Sequence, residues 1–172
     1  MTESLVAILT KICNKTKDEK PRLVFISSAG TKHFMFGGDL LMMQNAIHKS
    51  KKEKSLTDTL LYKTFFVRWH AVESAVADLL QSENLSAIAF WKGKVIGGGV
   101  GLTHWCHFKI ATESASYAVP ETNIPMATYQ ANLCFLPTFS WDNLPRALYI
   151  ALTVPDITGK DIVRHGIATH FV

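Results

Sequence analysis

The sequence predicts an α/β fold with parallel strand pairing. Apolar runs of strand length, over residues 22–27, 86–91 and 107–112, alternate with segments whose apolar residues recur at helical spacing. The runs are continuous rather than alternating, which is the pattern of parallel strands covered on both faces. Glycine turns, Gly37-Gly38 and Gly97-Gly98-Gly99, sit where extended segments give way to helices. A chain of 172 residues fits one domain spanning residues 1–172.

The elements follow in order. Leu5, Ile8, Leu9 and Ile12 stand at i, i+3, i+4 and i+7 and predict a helix over 3–15, with Thr2 or Ser4 as its cap. A polar turn over 15–20 leads to the first strand, 22–27. A turn over 29–32 and a short apolar stretch, 33–36, enter Gly37-Gly38. A helix is expected from Leu40 to Ile47, followed by a lysine-rich loop over 49–54.

Next comes a long helix over about 57–81. Leu61, Phe65, Trp69, Val72, Val76 and Leu80 form its apolar stripe. Residues 86–91 are a second strand, and Lys92-Gly93-Lys94 turns the chain into the triple glycine. A helix over 98–105, a strand over 107–112 and an extended piece over 117–119 follow. Helices are expected over 144–152, with Pro145 in the first turn, and over 158–165, before a final stretch, 168–172.

Composition narrows the function. With 48% hydrophobic and 19% charged residues the chain is not of the disordered class. No apolar run reaches membrane-spanning length, and the N-terminal residues do not have the form of a signal peptide. The net charge of +4 is concentrated in Lys49, Lys51, Lys52 and Lys54. That cluster reads as a solvated loop or as a contact for a polyanion. It carries no interleaved aromatics, so nucleic acid is not the expected partner, and no membrane partner is expected either. Three separated cysteines, Cys13, Cys106 and Cys134, suit a reducing compartment. His104-Trp105-Cys106-His107 lacks a second pair of ligands at zinc spacing, so no metal is expected.

The chemistry lies in the glycine turns. A glycine turn at the start of a helix leaves backbone N–H groups that point one way and can hold a phosphate or a developing oxyanion. The run Gly97-Gly98-Gly99-Val100-Gly101 matches neither the dinucleotide fingerprint nor the phosphate-binding loop G-x-x-x-x-G-K-[ST]. Its plain alternative is a tight packing turn, and that of Asp39 is a helix cap. Glu121 follows Pro120 and an extended stretch. Alone it is a surface carboxylate. Beside two glycine turns it is a candidate general base or nucleophile for a thioester carbonyl.

These motifs together resemble the crotonase (enoyl-CoA hydratase/isomerase) superfamily, and within it the 3-hydroxyisobutyryl-CoA hydrolase branch. The resemblance is carried by IGGGVGLTHWCHFKIATESASYAVPET, residues 96–122, and by ALTVPDITGKDIVRHGIATHFV, residues 151–172. It implies a crotonase (ClpP/crotonase-like) spiral of ββα turns that binds acyl-CoA, with the backbone N–H groups of Gly38 and Gly98 on the thioester oxygen. Glu121 matches a family glutamate that serves as base or nucleophile. The second glutamate of the hydratases falls at Gly101, as in the hydrolase branch, which disfavours hydration. An ungapped match places a further substrate-binding glutamate of that branch at Glu73, whose plain alternative is a solvent-facing helix residue. Tyr129 stands where the branch has an aspartate that orients water or substrate. Lys51 and Lys52 fall near where the superfamily holds the nucleotide end of CoA.

Relative to the family, the chain starts near the first helix and stops at Val172, before a large helical C-terminal portion. An incomplete core is therefore expected, with Leu148, Ile150, Leu152 and Ile162 outward and self-association through the terminal helices. The resemblance implies an acyl-CoA thioester hydrolase of valine catabolism, mitochondrial by family although no presequence is visible and a cytoplasmic site is the other reading. No cofactor is expected, CoA being part of the substrate. The alternatives are a catalytically impaired acyl-CoA or protein binding module and an enoyl-CoA hydratase or isomerase.

Overall fold

The structure, a computed structural model, describes residues 11–12, 14–15, 22–30, 32–53, 56–124 and 143–172. Strands come in successive pairs, one strand to each of two sheets. Strands β1 (Leu23–Ser27), β3 (Ser86–Trp91), β5 (Phe108–Ala111) and β8 (His170–Phe171) form one sheet in the order β1-β3-β5-β8. Strands β2 (His33–Phe36), β4 (Lys94–Ile96), β6 (Ser116–Ala118) and β7 (Ile157–Thr158) form the other, in the order β2-β4-β6-β7. All pairings are parallel except β6 with β7. Between strand pairs run helices α1 (Leu40–Glu53), α2 (Leu56–Leu80) and α3 (Gly98–Thr103), and later α4 (Asn143–Thr153) and α5 (Lys160–Arg164). The repeating unit is a ββα turn, and the turns wind into the spiral that the resemblance implied.

The stripe on α2 is the inner face. Phe65, Trp69, Val72, Val76 and Leu80 are all buried, while the side chain of Leu61 lies outside the described residues. They pack in one core with Ala87, Ala89 and Trp91 of β3 and with Val95 and Tyr117 of the second sheet. The small alanines of β3 let the covering layer approach closely. Trp91 and Tyr117 stack across the two sheets with ring centroids 6.2 Å apart, a contact worth about 0.5–1.5 kcal/mol beyond the area it buries.

Several expectations change. The lysine loop is helical: α1 continues through Glu53 and carries Lys51 and Lys52 in its last turn. Lysine is a good helix former, and positive charge is favourable at a helix C-terminus. Strands β4 and β7 were absent from the sequence reading because three and two residues give no periodicity to read. Among the described residues β1 is an edge strand, with Leu23 and Phe25 exposed rather than covered on both faces. Of the four residues expected outward, Leu148 and Leu152 are exposed, but Ile150 and Ile162 are fully buried. Helical spacing explains α4: Ala147, Ile150 and Ala151 form its inner face, and Leu144, Leu148 and Leu152 its outer face. Ile162 belongs to the main core. Only residues 11, 12, 14 and 15 of the expected first helix are described, and they are helical.

Candidate active site

Each end of the second sheet's strands β2, β4 and β6 supplies one part of the site. β2 runs into Gly37-Gly38-Asp39 and α1. Asp39 caps that helix, its Oδ1 accepting from the Met42 N–H at 2.9 Å. β4 runs into Gly97-Gly98 and α3. Gly97 has φ +54°, a conformation that L side chains rarely adopt. The first bond of α3 is donated by the Val100 N–H to the Gly97 carbonyl at 2.9 Å, so the Gly98 N–H precedes the helical ladder. β6 runs through Val119 into a 3₁₀ turn, Pro120–Asn123, that carries Glu121. The Thr122 hydroxyl ties this turn to α4 by donating to the Ala151 carbonyl at 3.0 Å.

Parallel register brings the three turns side by side. Phe36 pairs with Ile96, and Ile96 with Ala118. A Cβ built on Gly37 would lie 4.0 Å from the Gly98 nitrogen, and one built on Gly97 would lie 3.7 Å from the Gly37 Cα and 3.4 Å from Oε1 of Glu121. The turns enclose a cavity of about 90 Å³ lined by Gly38, Gly98 and Glu121, with walls that include Phe36, Met43, Phe65 and Ile124.

Glu121 is only 7% exposed, and neither carboxylate oxygen has a hydrogen-bond partner among the described residues. Burial pushes its pKa up to about 7. The surface-loop alternative for Glu121 is thereby overturned. A carboxyl group of this pKa, facing an apolar cavity, is poised to exchange a proton near neutrality.

Of the other expected site residues, Glu73, Lys51 and Lys52 do not line this cavity. Glu73 is buried on α2, so the solvent-facing alternative fails. Its Oε2 lies 3.2 Å from Nδ1 of His70, and burial raises its pKa to about 7, with a hydrogen bond from Trp69 opposing. It does not line the cavity that holds Glu121. Lys51 and Lys52 are exposed at the end of α1, also away from the lining. Tyr129 lies outside the described residues. Cys106 is buried, and His107 accepts from the Ala87 N–H through Nδ1 at 3.2 Å.

The sequence names both glycine turns but not the positive φ of Gly37 and Gly97 that shapes them, nor the apolar walls Met43 and Phe65. Phe65 carried a signal as a member of the α2 stripe. Its site role arises because that stripe extends past the core to the cavity.

Comparison with known proteins fits this geometry. The family model described as enoyl-CoA hydratase/isomerase matches residues 1–172. The mitochondrial 3-hydroxyisobutyryl-CoA hydrolase of Dictyostelium discoideum is 30% identical over 176 residues, covering 100% of this chain and 44% of that protein. The Homo sapiens protein of the same name is 32% identical over 156 residues, covering 91% of this chain and 37% of its own length. The chain thus spans less than half the length of these relatives. Among solved structures, an enoyl-CoA hydratase/isomerase from Marinobacter aquaeolei superposes with a TM-score of 0.80 at 25% identity, covering 100% of this chain and 61% of the other. An enoyl-CoA hydratase from Bacillus anthracis does so with a TM-score of 0.78 at 24% identity, covering 100% and 60%. A spiral of ββα turns, a glycine turn at the end of each of two neighbouring strands, and a family match along the whole length agree: the chain belongs to the enoyl-CoA hydratase/isomerase, or crotonase, superfamily.

Proposed function

We propose that this chain carries the reaction centre of an acyl-CoA thioester hydrolase of the 3-hydroxyisobutyryl-CoA type, acting in valine breakdown in the mitochondrion. The observation that supports it most is Glu121, a buried carboxylate without a partner among the described residues, beside Gly38 and Gly98 in one cavity. The relatives named as 3-hydroxyisobutyryl-CoA hydrolases add the substrate class.

The step runs as follows. The Glu121 carboxylate takes a proton from water, and the water oxygen adds to the thioester carbon. The carbonyl electron pair moves onto oxygen, where the N–H groups of Gly38 and Gly98 hold the negative charge. Collapse of this intermediate re-forms the carbonyl and expels the CoA thiolate, which takes the proton from Glu121. Free acid and free CoA thiol leave. Direct attack by Glu121 on the same carbon would give an acyl-enzyme anhydride and CoA, with water then cleaving the anhydride. Gly101, which falls where hydratases carry their second glutamate, is buried within α3 and offers no carboxyl group for hydration.

A second reading is a catalytically impaired acyl-CoA binding module, favoured by Tyr129 in the position of the branch's aspartate. Tyrosine is neutral near pH 7 and cannot orient water as a carboxylate does. Following thiol release from 3-hydroxyisobutyryl-CoA decides between them. Release that depends on the chain supports the hydrolase, and binding without release supports the module.

A further inference from the structure

We propose that Lys109 is a positioning residue for this site: its buried ammonium fastens the far end of α3 and thereby fixes the turn that presents the Gly98 N–H. The inference rests on the acyl-site reading above and adds a residue outside the cavity to it.

The geometry begins with β5. Strand alternation turns Phe108 and Ile110 outward and Lys109 and Ala111 into the core. A lysine on the inner face is unusual, because an ammonium group loses its hydration there. Lys109 is 7% exposed. Its Nζ donates to the carbonyl of His104 at 3.2 Å and to that of Cys106 at 3.0 Å. These carbonyls lie just past the end of α3, whose six residues are all buried. Carbonyls at the end of a buried helix cannot turn to water, and leaving them unpaired is costly. A cation is a favourable donor there, since a helix ends in partial negative charge. Burial lowers the pKa of Lys109, because the charged form loses its hydration there.

Lys109 is itself held. Its N–H donates to Oγ1 of Thr169 at 2.8 Å, and the Thr169 N–H donates to its carbonyl at 2.8 Å. The anchor is therefore the first sheet, while the site is built on the second. α3 spans the gap. It is only about 9 Å long at 1.5 Å per residue, and its bonds run end to end. The His104 N–H donates to the Val100 carbonyl at 3.0 Å, and the Val100 N–H to that of Gly97 at 2.9 Å. The Thr103 hydroxyl donates to the Gly99 carbonyl at 3.0 Å and accepts from the Trp91 indole N–H at 3.1 Å. A displacement at His104 thus reaches Gly97 through two hydrogen bonds. At the opposite end α3 rests on β2: a Cβ at Gly99 would stand 2.6 Å from the Met35 Cβ. α3 is clamped between Met35 and Lys109, and Gly98 lies at the clamped end beside Glu121.

The test reads the polarisation of a bound carbonyl rather than turnover. Glu121→Gln chain is saturated with isobutyryl-CoA carrying carbon-13 at the thioester carbonyl, and the bound resonance is followed by NMR. N–H donation to the oxygen moves that resonance downfield of free isobutyryl-CoA. With Lys109→Met added, most of the downfield displacement should be lost, and Lys109→Arg should restore it. Affinity for CoA alone should change by less than about twofold, because Lys109 does not line the cavity. If Lys109→Met does not fold, Lys109→Gln, which keeps a neutral NH2 donor group, replaces it and should lose part of the displacement. A parent displacement that persists unchanged in the Met or Gln variant overturns the role of Lys109 alone. No displacement in the Glu121→Gln parent sinks the acyl-site reading, and the role of Lys109 with it.

Discussion

Gly97 and Glu121 face each other across the site, with Oε1 of Glu121 3.4 Å from where a Cβ on Gly97 would stand. That separation is ordinary van der Waals contact, so space does not forbid alanine at Gly97. Its φ of +54° does. Gly97→Ala should destabilise the chain by about 1–3 kcal/mol through backbone strain, and should lower thioester turnover by moving the Gly98 N–H. Urea titration and a thiol-release assay check the two effects. Unchanged stability would show that the turn relaxes without cost.

Glu121→Gln preserves shape and removes the base. Acyl-CoA affinity should stay close to that of the parent, while thiol release falls by roughly two to four orders of magnitude, as for loss of a positioned general base. In the parent, release should climb with pH through about 7, where Glu121 loses its proton. Equal turnover in the variant would assign the chemistry to another residue.

The same carboxyl group makes stability depend on pH, in a direction opposite to that of a salt-bridged acid. The folded chain holds the Glu121 proton up to about 7, above the usual carboxylate value that applies in the unfolded chain. Between those two values the folded state binds more protons, so stability falls as pH rises through this window and stays lower above it. Glu121→Gln should therefore be more stable than the parent at pH 8, by about 1–3 kcal/mol, and should lose that advantage by pH 4. Paired denaturant titrations at the two pH values measure it. Glu73, also raised to about 7, is common to both chains and cancels in the comparison.

Lys51 and Lys52 extend the exposed last turn of α1. If they meet the phosphates of CoA, replacing both with alanine should weaken CoA binding several-fold at low salt and much less at high salt, because exposed charge contacts are screened over a Debye length of about 8 Å at physiological ionic strength. Calorimetric titration of CoA at two salt concentrations checks this. A loss of equal size at both would assign the two lysines to folding rather than to the ligand.

The outer face of α4 exposes Leu144, Leu148, Tyr149 and Leu152. Such a cluster favours self-association. Leu148→Lys with Leu152→Glu should reduce the sedimentation coefficient distribution to that of a monomer, while leaving the melting transition within a few degrees, since both positions are at least half exposed. A parent chain that sediments as a monomer at high concentration would remove the basis for this prediction.

Much of the fold was legible in the sequence because its signals are local. The α2 stripe gave both the helix and its buried face, the apolar runs gave β1, β3 and β5, and Asp39 gave the cap of α1. The glycine turns and Glu121 were legible as parts, and the family resemblance joined them. Local signals could not give β4 and β7, since strands of three and two residues are defined by their neighbours. Nor could they tell that β1 lies at a sheet edge, that Ile162 faces inward, or that Glu73 is buried, because exposure depends on what other elements cover.

The sequence by itself determined the alternation of strands and helices, the inner face of α2 and the residue types at the site. Tertiary structure decided which of them meet. Parallel register between β2, β4 and β6 sets Gly38, Gly98 and Glu121 around one cavity although they are far apart in the chain. Burial then decided the chemistry of each charge. Removing water raises Glu121 and Glu73 towards neutrality and fixes Lys109 on the end of α3, and that desolvation depends on every layer packed around the group, not on its neighbours in sequence.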